Sequence, residues 1–125
     1  MSIETPMQAK VLYVINRAPY SNAVGQEALD AALIGASLDM DVSILFIQDG
    51  VFQLKRGQDS SSSWLKQYTK SYKALDDFGV EKLYVHDLSL DARGLAIADL
   101  MCAPAVVNSQ EVKSLIADQL KVFTF

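Results

Sequence analysis

The order of apolar and polar positions divides the chain into short strands and longer helical stretches. Residues 11–15 form an apolar run rich in β-branched side chains, closed by Asn16, Arg17 and Pro19, which predicts a buried strand. Ser21 or Asn22 can cap the next helix, because their side-chain oxygens accept from the free N–H groups of a first helical turn. From 22 to about 38, Val24, Ala28, Leu29, Ala32, Leu33 and Ala36 recur at helical spacing and leave little polar face. Such a helix is expected to be buried on more than one side. Gly35 within it weakens the helix by about 1 kcal/mol relative to alanine, which points to close packing against a neighbour.

Residues 42–47 predict a second strand, ended by Asp49-Gly50, then a short helix at 51–54 and a loop from 56 to 63. The tract Ser60 to Ser63 favours a loop, since its hydroxyls compete for backbone hydrogen bonds. Trp64, Leu65, Tyr68, Tyr72 and Leu75 then mark one face of an amphipathic helix, with Lys66, Lys70, Lys73 and Asp77 opposite and Gly79 as its stop. A third strand is expected at 82–86, a turn or short helix at 88–94, a helical turn at 95–101 and a short fourth strand at 105–107. Asn108 and Glu111 fit a capping pair for a helix presenting Val112, Leu115, Ile116 and Leu120, and a last strand covers 122–125. Strands alternating with helices predict an α/β domain whose parallel sheet is covered on both faces.

Composition narrows the possibilities. At 125 residues there is room for a single domain, residues 1–125, and 50% hydrophobic with 21% charged residues excludes a disordered chain. A mean hydropathy of +0.15 is oily for so small a domain, and a covered sheet or a subunit interface can absorb it. Eleven basic against fifteen acidic residues argue against direct nucleic-acid binding, which needs a basic face. Cys102 is the only cysteine, so no intrachain disulfide forms and no zinc site is expected. The oily stretches 28–36 and 95–107 are interrupted by Asp30 and Asp99 and fall short of the ~20 residues that span a bilayer. The first ten residues carry Glu4 and Lys10 and no apolar core of a signal peptide, so a cytoplasmic protein without membrane contact is expected.

Ligands of such sheets sit outside the carboxyl ends of the strands, here the loops 16–22, 48–50, 86–93 and 108–109. The first loop can offer Ser21 and Asn22 to a phosphate, but it lacks phosphate-loop glycines and reads more plainly as a polar cap. Asp49 can place a carboxylate at this edge, or simply start a turn or cap the next helix. His86, with Asp87 beside it, can act as a base or proton shuttle, or can be structural. Cys102, in Met101-Cys102-Ala103-Pro104, is expected to be a buried and inert thiol. The Trp64, Tyr68 and Tyr72 stripe is packing surface, within the chain or against a second one. A small nucleotide- or flavin-binding module, or an enzyme using His86 and Asp49, remains an alternative; no cofactor or metal is expected.

Several segments in order carry a family likeness. They are Asn16 to Tyr20, Asp49-Gly50-Val51-Phe52-Gln53-Leu54 with Gly57-Gln58, and Tyr72 to Leu75 through Gly79-Val80-Glu81. Ser89-Leu90 with Arg93-Gly94-Leu95, and Val122 to Phe125, complete the series. The chain resembles the DsrE/DsrF/DsrH sulfur-relay family, in its DsrF/TusC-like branch. The resemblance implies a flavodoxin-like sheet. It also implies a heterohexamer with DsrE/TusD-like and DsrH/TusB-like subunits, which passes persulfide sulfur toward tRNA wobble-uridine 2-thiolation or serves intracellular sulfur oxidation. The DsrE/TusD-like subunit carries its reactive cysteine at the end of the third strand, eight residues before the glycine of an Arg-Gly pair. Counting back from Gly94 reaches His86 here. The resemblance therefore implies a subunit that is not itself a sulfur carrier. The surplus oiliness then reads as a subunit interface, with Trp64, Tyr68, Tyr72, Phe123 and Phe125 as candidate residues.

Overall fold

The computed structural model describes residues 8–18, 24–56 and 75–125. Within them run β1 (Lys10–Ile15), α1 (Val24–Ser37), β2 (Asp41–Phe46) and a 3-10 helix at Gln48–Leu54. A 3-10 turn at Asp76–Phe78, β3 (Lys82–His86), α2 (Asp87–Ala92) and a second 3-10 turn at Ile97–Asp99 come next. The chain closes with β4 (Ala105–Val107), α3 (Ser109–Ala117) and β5 (Lys121–Thr124). The five strands among the described residues are all parallel, in the order β4-β3-β2-β1-β5. As in flavodoxin-like sheets, β1 lies beside an edge strand and the next strands step outward; here that edge strand is β5, the last in the chain.

Strand alternation splits the core into two layers. Val11, Tyr13, Ile15, Val42, Ile44, Phe46 and Val85 face one side, where α1 contributes Ala28, Leu29 and Ala32. Leu12, Val14, Leu45 and Val107 face the other, against Val112 and Leu115 of α3. Helices thus cover both faces, as the alternation predicts. Gly35 is packed as expected: a Cβ there would stand 3.1 Å from the Tyr13 hydroxyl and 3.2 Å from Val42 Cγ2.

Three expectations need correction. Helix α1 is not buried all round, since Ile34 is 60% exposed; the helix covers the sheet with one face only. Leu120 lies beyond α3 and is 72% exposed, because Lys10 ends that helix. Its Nζ bonds Asp118 Oδ2 at 2.7 Å and its carbonyl accepts the Leu120 N–H at 2.8 Å, which turns the chain into β5. The helical turn expected over 95–101 shrinks to Ile97–Asp99, because Leu100 and Met101 pair instead with the end of the 48–54 helix. The Trp64, Tyr68 and Tyr72 stripe, and the expected caps Ser21 and Asn22, lie outside the described residues.

The 3-10 helix after β2 sits directly on the carboxyl end of β1. The Ile47 N–H reaches the Ile15 carbonyl at 3.0 Å, and Gly50 stacks on the same peptide. A Cβ on Gly50 would overlap the Ile15 carbonyl oxygen and stand 2.6 Å from its carbon. Glycine is required by this close approach of two backbones. Gly50→Ala should therefore lower stability by about 3 kcal/mol, at the upper end of overpacking costs, in urea titrations; an unchanged midpoint would refute the close packing.

Tyr13 gives a second test. Its ring stacks on Phe123, with centroids 5.5 Å apart, and its hydroxyl donates to the Ala31 carbonyl at 3.2 Å. Burial raises the phenol above its ordinary pKa of 10.0. Above that pH the unfolded chain ionises first, so this stability is complete below pH 10 and is lost as pH rises toward the folded value. Between about pH 8 and pH 11 the wild type should lose more stability than Tyr13→Phe; equal losses would contradict the assignment.

Candidate functional site

The connection leaving β3 and the one leaving β4 depart on opposite faces of the sheet. After β3, α2 places Leu90 in the layer shared with α1; after β4, α3 joins the other layer. Adjacent strands with diverging connections open a crevice at their carboxyl ends, the position where sheets of this kind bind ligands. Here it is a cleft of about 300 Å³ lined by Ile47, Gln48, His86, Ser89, Ser109, Val112 and Lys113.

His86 is the last residue of β3 and shares the face of Tyr84, so its ring turns toward the side of the sheet that α3 covers. Its side chain is 19% exposed, and both ring nitrogens are engaged. Nδ1 lies 2.8 Å from the Ser89 hydroxyl, one turn into α2, and Nε2 lies 2.9 Å from the Ser109 hydroxyl at the start of α3. Asp87 Oδ1 is 3.7 Å from Nε2, too far for a hydrogen bond, and accepts the Leu88 N–H.

Hydrogen-bond satisfaction, rather than a visible hydrogen, assigns the ring tautomer. Ser89 is buried, and its Oγ accepts the Gln48 N–H at 2.9 Å. Its own proton must then find an acceptor, and Nδ1 is the one within reach among the described residues. Nε2 consequently carries the ring hydrogen and donates to Ser109, which is exposed and can turn its hydroxyl outward. In that tautomer His86 is no general base toward Ser109, because the nitrogen facing the hydroxyl is already protonated. Gln48 adopts φ 52° to aim its N–H, a left-handed conformation that costs a non-glycine residue about 1 kcal/mol or more.

The other sequence candidates fall elsewhere. Asp49 neither caps the 48–54 helix nor lines the cleft; its carboxylate accepts from Arg93 Nε at 3.0 Å, and the same guanidinium bonds the Ser89 carbonyl at 3.2 Å. The Asp-Gly and Arg-Gly motifs are thus one structural clasp, and the nucleotide or enzyme alternative loses its pairing of His86 with Asp49. Cys102 is half-buried rather than buried, sits in left-handed backbone at φ 68° and does not line the cleft. Gln53 is buried at 1% exposure and donates to the Arg17 carbonyl at 3.0 Å, tying the first loop to the 48–54 helix. Phe123 is 45% exposed on β5, and Phe125 packs against the first core layer.

Sequence reasoning missed Ser89, Ser109 and Lys113 as neighbours of His86. The spacing of His86 and Ser89 was a usable signal, because three residues across a strand-to-helix junction bring side chains together. Ser109 comes after another strand and had none. Among the described residues, no group of three or more His, Cys, Asp or Glu can hold a metal ion, and no helix is long and apolar enough to cross a membrane.

Comparison with known proteins agrees with this architecture. The ychN protein from E. coli shares the fold, with a TM-score of 0.81 at 22% identity over 95% of this chain and all of that one. The intracellular sulfur oxidation protein DsrF of Allochromatium vinosum is 45% identical over 93% of this chain and 96% of its own length. A TusC homolog of Pseudomonas aeruginosa is 37% identical over 94% of this chain and 99% of its own. The DsrE/DsrF-like family matches residues 9–125. The chain belongs to the DsrE/DsrF-like family, with DsrF and TusC proteins among its relatives.

Proposed function

We propose that the chain is a non-carrier subunit of a cytoplasmic sulfur-relay complex, assembled with DsrE/TusD-like and DsrH/TusB-like subunits in a heterohexamer. The observation that carries this reading is the residue at the end of β3. Where the resemblance puts the sister subunit's cysteine, this chain holds an imidazole bonded through both nitrogens.

Relay chemistry requires a thiolate that attacks the outer sulfur of a persulfide, forming a new S–S bond as the donor leaves as thiolate. An imidazole cannot take up sulfur by that exchange. Cys102, the only thiol of the chain, lies outside the cleft. The chain's contribution is then to build the assembly and to shape the surface on which its partners exchange sulfur. Open surface is available for that: β5 is an edge strand exposed along its length, with Leu120, Val122 and Phe123 all exposed. Identity to a DsrF of 45%, against 37% to a TusC homolog, supports intracellular sulfur oxidation over tRNA thiolation as the pathway.

Co-expression with the two sister subunits should yield one mixed complex, with native mass equal to two copies of each chain. Recovery of dissimilatory sulfite reductase in pull-downs from the native source would support the oxidation pathway; recovery of tRNA-thiolation enzymes would transfer the chain to the other. Failure of the three chains to associate would overturn the subunit reading.

A further inference from the structure

We propose that the cleft beside His86 binds a small, singly charged sulfur anion, a thiolate or persulfide presented by a partner, through the Ser109 hydroxyl and the Lys113 ammonium. The identity of the anion rests on the relay-subunit reading; the donor geometry does not.

The protons of the cleft run in one direction. The Gln48 N–H bonds Ser89, Ser89 bonds Nδ1, and Nε2–H bonds Ser109, so each donor in the series is committed by the one behind it. The series ends at the Ser109 proton, which has no acceptor among the described residues, and the cleft is the place where one can stand. Lys113, one helical turn further along α3, lines the same cleft and pairs with no carboxylate among the described residues. At the far end of the series, Gln48 keeps its left-handed backbone with its N–H bonded to Ser89.

Two further features narrow the ligand. Ile47 and Val112 give the cleft an apolar wall, which suits a large, weakly hydrated sulfur atom and the methylenes that carry it. Asp87 and Glu111 stand nearby, each accepting a backbone N–H, from Leu88 and Asn108 respectively. Their charges oppose a doubly charged oxyanion such as phosphate more strongly than a single charge. Glu111 and Asn108 also close the capping box of α3, so the attraction does not rest on an open helix end.

Thiocyanate, a singly charged anion with a terminal sulfur, is a suitable probe for the full-length chain in solution. Titration monitored by NMR should shift the Ser109 amide and the His86 ring in a saturable way, while inorganic phosphate should not. Lys113→Gln and Ser109→Ala, both at exposed positions, should each weaken thiocyanate about tenfold, the effect of one charge-assisted hydrogen bond. Ring nitrogen shifts should show hydrogen on Nε2 in the wild type and a tautomer mixture in Ser89→Ala; if that variant does not fold, the two surface variants decide. Unsaturable shifts, equal binding of phosphate, or undiminished binding in both surface variants would overturn the inference. A mixed complex that assembles although thiocyanate fails to bind would overturn this inference alone. Binding by a chain that associates with no partner would uphold the cleft and remove only the relay reading.

Discussion

The carboxyl edge of this sheet depends on the contact between Gly50 and the Ile15 carbonyl. With no side chain at residue 50, the 48–54 helix can rest on the end of β1 instead of standing off from it. From that seat Gln53 reaches the Arg17 carbonyl, Asp49 meets Arg93, and Leu54 accepts the Met101 N–H at 2.8 Å. Gln48 is held where its N–H meets Ser89. Four loops that are distant in sequence are thereby fixed relative to one another. The constraint is steric, and a single methyl group tests it.

The same anchoring decides what His86 can do. A histidine at a strand end suggests acid–base chemistry, but the tautomer is set by its neighbours. Because Ser89 is buried and already accepts one hydrogen bond, its proton goes to the imidazole, and the ring becomes a donor toward Ser109. Burial of one hydroxyl thus turns a potential base into a fixed element of a donor series. This agrees with a subunit that holds or orients sulfur rather than one that accepts it covalently.

Much of the fold was legible in the residues. The β-branched run at 11–15, the alternation of strands with helices, and the Asn108/Glu111 capping pair all depend on local physics, and each appears where the pattern put it. Gly35 also behaved as a local rule predicts. Illegible were features created by contacts between distant segments. The Asp49–Arg93 pair spans 44 residues, so Asp49 looked like a turn former or a catalytic acid. Leu120 fitted a helical face by spacing, but Lys10 stops the helix before it is reached. His86 was found from its place at the strand end, yet its partners were not, because Ser109 arrives from a different strand.

The central claim is that sulfur passes through the assembly without residing on this chain. The most direct measurement supplies labelled persulfide to the complete complex and maps the label on each subunit by mass spectrometry, with Cys102→Ser compared in parallel. The account predicts label on a partner's cysteine, none on Cys102, and undiminished transfer in the variant. Label on Cys102, with transfer abolished by Cys102→Ser, would contradict it.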